Sequence, residues 1–167
     1  QNLNEHILEP KDFLTVVNRS RMDGQLTRLM FSQCAELFRR TQIHWSINLT
    51  AQDMLDPSLA CYLEDELKRY PNPSHITFEL LETEAVANFA EVKAFIDLVR
   101  AQGVKVMIDD FGTGYSNISN ILKLNVDGIK LDGSLVKQIA TDHDVFLFIE
   151  HIASFTKQVN LQLIAEA

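Results

Sequence analysis

Short apolar runs alternate with longer amphipathic stretches along most of this chain, and that alternation limits its possible folds more than any other feature. Five runs are predicted strands: Trp45–Leu49, His75–Leu80, Val104–Asp109, Val126–Leu131 and Leu161–Ala165. Between them apolar residues recur with the helical period. The stretch Gly24–Arg40 carries Leu26, Leu29, Met30, Cys34, Leu37 and Phe38 on one side. Pro57–Tyr70 carries Leu59, Tyr62, Leu63 and Leu67 and is stopped by Pro71 and Pro73. Glu84–Gln102 carries Val92, Phe95, Ile96 and Val99 and closes on Gly103, and Asp142–Gln158 carries Val145, Phe148, Ile149 and Ile152. Strand, helix and strand joined by short connections imply parallel strands with right-handed crossovers. An open doubly wound sheet and an incomplete eight-stranded barrel both satisfy that pattern.

Parity separates the two, because successive side chains of a strand face opposite sides. One face would carry Trp45, Ile47, Ile76, Phe78, Leu80, Val104, Val106, Ile108, Ile129, Leu131, Leu161, Leu163 and Ala165, and it is nearly all apolar. The other would carry Ser46, Asn48, Thr77, Glu79, Lys105, Met107, Asp109, Gly128, Lys130, Gln162, Ile164 and Glu166. Its polar groups gather at the C-terminal ends of the strands. A doubly wound sheet needs apolar helix stripes over both faces. A barrel interior opening at a C-terminal mouth accounts for the asymmetry, so the fold class is α/β, a TIM-like (β/α) barrel represented by an incomplete barrel.

The strands then end in Asn48, Glu79, Asp109 with Asp110, Lys130 and Glu166. Each has a bland reading: Asn48 as a turn cap, Glu79 in a solvated loop, Asp109 as a cap, Lys130 as an exposed strand end and Glu166 as a frayed tail. The shared parity argues for one pocket. Carboxylates converging there without cations repel and desolvate one another. Oxygen donors without His or Cys favour Mg²⁺ or Mn²⁺ over zinc. Adjacent Asp109 and Asp110 suggest two ions, as suits in-line attack on a phosphodiester, with Lys130 holding water or neutralising phosphoryl charge. The formal net charge of −8, with no block of Lys or Arg, argues against a DNA or RNA polymer but not against a small phosphorylated ligand. Cys34 and Cys61 lie in no metal-ligand spacing and read as buried or inert thiols.

The run Asp109-Asp110-Phe111-Gly112-Thr113-Gly114-Tyr115-Ser116 resembles the DDFGTGYSS segment of the EAL phosphodiesterases, which hydrolyse cyclic di-GMP to linear 5′-pGpG. Asn48-Leu49-Thr50 is similar to that family's N-x-S/T motif, Glu79-Leu80-Leu81-Glu82 to E-x-T-E, Lys130-Leu131-Asp132 to K-I-D, and Glu166-Ala167 to the start of E-G-V-E. The resemblance runs from about Pro10 to the last residue. It implies that Asn48, Glu79 and Asp109 hold one ion and Asp109 with Asp110 the second. Lys130 and Glu166 would position the nucleophilic water, with Asp110 counted among the catalytic groups. Glu82 would hold the loop Phe111 to Ser116, which would contact substrate and communicate with a dimer interface, so a homodimer is expected.

The E-A-L signature, whose Glu is a ligand in the family, and its accompanying Arg are not in the sequence, nor is the Q-G-Y region. Leu81 stands for the usual Thr, Asn117 for the second Ser, Ala167 for the usual Gly, and Gly133 and Leu135 for the commoner residues after K-I-D. We therefore expect residues 1–167 to be one EAL-like domain truncated at both ends. By itself that stretch is expected to be inactive and incompletely stable. Regulatory or cyclase domains are expected in the parent protein, and a cytoplasmic site, with membrane tethering of the parent left open. Two other readings stay open: a receptor that binds the cyclic dinucleotide without cleaving it, and an interaction module that binds neither nucleotide nor metal.

Overall fold

The structure is a computed structural model that describes residue 9, residues 23–112 and residues 118–166. Thr113, Gly114, Tyr115 and Ser116 of the expected loop, together with Asn117 and Ala167, lie outside the described residues. In chain order the elements are helix α1 (Asp23–Phe38), strand β1 (Trp45–Leu49), α2 (Ala51–Leu55), α3 (Pro57–Arg69), a 3-10 turn (Pro73–His75), β2 (Ile76–Leu81), α4 (Glu82–Ala87) and α5 (Phe89–Ala101). They continue with β3 (Lys105–Phe111), α6 (Ile118–Leu124), β4 (Gly128–Leu131), α7 (Gly133–Gln138), α8 (His143–Gln158) and β5 (Gln162–Ala165).

The strands form one parallel sheet in the order β1-β2-β3-β4-β5. A doubly wound sheet reverses its winding at a switch point and so acquires helices on both faces. Sequential addition with right-handed crossovers instead puts every helix on one face and curls the sheet into part of a TIM-like barrel. The helix-facing side is the core. Ile76, Phe78, Leu80, Val106, Ile108, Ile129 and Leu131 are buried there under Phe31, Leu59, Leu63, Leu67, Val92 and Ile96. Full burial of each such side chain contributes roughly 1.5–3 kcal/mol. Phe31 sits at the centre of an aromatic cluster with Trp45, Tyr62 and Phe78.

The inner face differs. Ser46 and Asn48 are exposed, and Thr77 and Glu79 are half-buried. Met107 is buried against Gly128, where a Cβ would come within 2.5 Å of the Gln162 carbonyl oxygen and 2.7 Å of the Met107 methyl. Glycine lets β4 lie flat between Met107 and β5.

Local chemistry sets the boundaries. Thr50 and Asp53 form a capping box that starts α2, and Asp56 caps α3 with Pro57 as its first residue. The single helix expected over Glu84–Gln102 is two, broken at Asn88, whose backbone is non-helical (φ −124, ψ 47). Helices α2 and α7 are too short to show periodicity and escape a pattern reading. His75 belongs to the 3-10 turn rather than β2, and Val126 and Asp127 precede β4. Gly103 does close α5, at φ 93. Cys61 is exposed rather than buried, and Cys34 is partly buried. At the N-terminal end of the sheet the Arg100 guanidinium donates to the Asn125 carbonyl and to Asp127 Oδ1 at 2.8 Å. Asp127 Oδ2 accepts the Val106 N–H at 2.8 Å.

Candidate active site

At the opposite, C-terminal end the strands deliver their charged residues to one place. Lys130 is only 8% exposed, not the free strand end that its position allowed. Its ammonium lies 3.1 Å from Glu79 Oε2, 3.1 Å from Asp109 Oδ1 and 2.5 Å from Glu166 Oε1. Three strands and the residue after a fourth thus converge on one nitrogen. Glu79 is in strand rather than a loop, and Glu166 is anchored by its N–H to the Leu131 carbonyl at 3.3 Å.

Asp110 reaches the same pocket through an irregularity in β3. Ile108 pairs with Ile129 and Phe111 with Leu131, so Asp109 and Asp110 together oppose Lys130 alone. This is a β-bulge, at which Asp110 takes the left-handed conformation (φ 54). Strict alternation would send Asp110 to the helix side. The bulge returns it, and oxygens of Asp109, Asp110 and Glu166 all lie within 4.8 Å of one another. Asp109 Oδ1 also accepts the Asp110 N–H at 3.0 Å.

The electrostatics follow from crowding. Burial alone lowers the Lys130 pKa, but its bonds to Glu166, Glu79 and Asp109 outweigh that and hold it above the usual lysine range. Asp110 is pushed up from the ordinary aspartate value of 3.8, first by burial and then by Asp109, Asp132 and Glu166, with Lys130 opposing. Among the described residues one ammonium faces four carboxylates, so their charges leave the group short of positive charge. An all-oxygen donor set with that deficit fits hard divalent cations.

Asn48 pairs in register with Glu79 at the end of β1, and Leu81 with Asp109 at the end of β2. Among the described residues the Asn48 side chain makes no hydrogen bond, and the cap of the next helix is Thr50, not Asn48. Glu82 is 4% exposed and accepts the N–H of Gly112 at 3.2 Å. Phe111 is buried in the core. Gly112 has φ 100, and a Cβ there would run into Leu135. Leu81, 39% exposed, sets an apolar side chain at the mouth. Glu84, which no strand pattern singles out, accepts the Ala51 N–H at 2.6 Å.

Fold and site together define a (β/α)-barrel domain with an acidic pocket built around a buried lysine at its C-terminal mouth. Comparison with known proteins identifies the family: the EAL domain model matches residues 1–167, and the chain belongs to that family. The cyclic di-GMP phosphodiesterase PdeA of Borreliella burgdorferi is 30% identical over 73% of this chain and 18% of its own length. The solved structure of the PaMucR phosphodiesterase in complex with c-di-GMP superposes with a TM-score of 0.87 at 23% identity, covering 99% of this chain and 70% of that one. The calcium and cyclic-di-GMP complex of Klebsiella pneumoniae BlrP1 is 26% identical, with a TM-score of 0.77 over 90% of this chain and 38% of that one. The chain spans 17% to 31% of the length of the curated relatives it matches. Among the described residues no helix is long and apolar enough to cross a membrane.

Proposed function

We propose that the EAL domain to which this chain belongs binds cyclic di-GMP and, in the full protein, hydrolyses it to linear 5′-pGpG with two divalent cations, Mg²⁺ or Mn²⁺. The observation that carries the reading is the charge balance of the pocket, where, among the described residues, Glu79, Asp109, Asp110 and Glu166 gather around a single ammonium, that of Lys130. A protein 26% identical holds calcium together with the cyclic dinucleotide, which supports a cation between carboxylates and phosphate. In this reading Asn48, Glu79 and Asp109 hold one cation and Asp109 with Asp110 the other. When bound, they would neutralise the phosphate and acidify a water at neutral pH.

The residues of this chain do the rest. Lys130 donates to Glu79, Asp109 and Glu166 and so fixes where those carboxylates stand. With Glu166 it orients the water for in-line attack. The water oxygen bonds to phosphorus as the bond from phosphorus to a ribose 3′ oxygen breaks, leaving a 5′-phosphate. Glu82 holds the start of the glycine loop through Gly112.

The full protein incubated with cyclic di-GMP and Mn²⁺ is expected to yield pGpG, read by chromatography. Lys130→Met should cut the rate by about 10²-fold or more. Substrate left intact with both Mg²⁺ and Mn²⁺ would end this reading. The exposed Leu81, beside Asp109 where the family's Thr is usual, favours a second one: a receptor that binds without turnover. Calorimetric binding of the dinucleotide with no product formed would establish it in place of the first.

A further inference from the structure

We propose that Glu84 is a positioning residue for the metal pocket: its carboxylate, bound to the Ala51 N–H, holds the end of β1 where Asn48 presents its amide. The inference rests on the reading of Asn48 as a cation ligand, and it concerns a residue outside the strand-end set.

Asn48 needs outside help to stay in place. Among the described residues its side chain has no hydrogen-bond partner, and β1 pairs with only one strand, through Asn48↔Glu79 and Leu49↔Leu80. What fixes it is therefore the backbone immediately after it. Thr50 and Asp53 close a capping box there, with Thr27 donating to the same Asp53 oxygen at 3.1 Å, but these bonds tie the strand end only to α1 and α2. The bond from Ala51 N–H to Glu84 Oε2, at 2.6 Å and between residues 33 apart, ties it across to α4. Helix α4 follows β2 directly, and its first residue, Glu82, accepts the Gly112 N–H just past the bulge. One short turn thus carries two carboxylates pointing opposite ways, Glu84 towards the end of β1 and Glu82 towards the end of β3. Together they set the spacing between the groups on β1 and the Asp109-Asp110 pair. A charged acceptor at 2.6 Å is a strong, directional tie, and outer partners of this kind typically shift metal affinity about 10–100-fold when removed.

The test is Mn²⁺ titration of the full protein, with the metal alone as probe and the thermal midpoint of the metal-free form recorded beside it. Glu84→Ala should weaken Mn²⁺ binding by about tenfold. Glu84→Gln keeps an acceptor oxygen and should restore most of it. Ala51→Pro removes the donor without touching Glu84. Proline is tolerated at the first position of a helix, and Thr50 before it is already extended (φ −88, ψ 163). It should reproduce the Glu84→Ala loss, and it keeps the question answerable if Glu84→Ala does not fold. On an Asn48→Ala background Glu84→Ala should add nothing. If Asn48→Ala weakens binding while Glu84→Ala or Ala51→Pro lowers only the thermal midpoint, the inference falls alone. Losses that add fully in the double variant also overturn it. If Asn48→Ala itself leaves Mn²⁺ affinity unchanged, the ligand role of Asn48 falls and takes the inference with it.

Discussion

Asp110 shows how a side chain that the proposed reading makes a cation ligand can be costly for folding. Its carboxyl is partly buried near Asp109, Asp132 and Glu166, and its pKa rises accordingly. A raised folded-state value means that the proton is bound more tightly in the native protein than in the unfolded chain. The associated stability is fully present below the ordinary 3.8 and is lost as pH climbs through the raised value. At neutral pH the metal-free protein therefore carries an unfavourable charge. Asp110→Asn keeps a residue that tolerates the left-handed backbone and removes that charge. We expect it to raise the metal-free midpoint at pH 7 by roughly 2 °C, a gain that vanishes below about pH 4, where both side chains are neutral. The Mn²⁺-induced rise in midpoint should shrink in the same variant. Differential scanning calorimetry with and without metal reads both signs.

At the scale of elements, the irregular places do the positioning. The bulge in β3 turns two consecutive residues towards one pocket, which a regular strand cannot do. Gly128 in β4 serves the neighbouring contact by letting Met107 and the Gln162 backbone close over it. Gly128→Ala would push a Cβ into a carbonyl oxygen at 2.5 Å and a methyl at 2.7 Å. The backbone of β5 cannot yield cheaply, so we expect a loss of about 1–3 kcal/mol in urea unfolding. Because β5 leads directly to Glu166, the same variant should weaken Mn²⁺ binding.

Across the whole molecule the two ends of the sheet divide the labour. The C-terminal mouth holds the unbalanced carboxylates. The N-terminal end holds Arg100 and Asp127, where charges are matched and the Val106 amide is satisfied. That end reads as stability in a (β/α) barrel. Asp127→Ala should therefore cost about 1–2 kcal/mol, through an unpaired backbone N–H and a stranded guanidinium. It should leave the catalytic constants of the folded protein within about twofold of the parent. Chemical denaturation and steady-state kinetics on the same preparation check both halves.

The period-2 pattern already separated the helix face from the pocket face. It placed Asn48, Glu79, Asp109, Lys130 and Glu166 at strand ends because a strand's alternation is a local property of the backbone. The barrel followed from the same parity, and the strand order agrees with it. What the pattern could not reach depends on register between strands. That Lys130 is buried and touches three carboxylates, that a bulge rather than parity turns Asp110 inward, and that Glu84 meets Ala51 are facts about distances between residues far apart in the chain. Alternation along one strand says which side a residue faces, while only pairing between strands says which residues stand level with it.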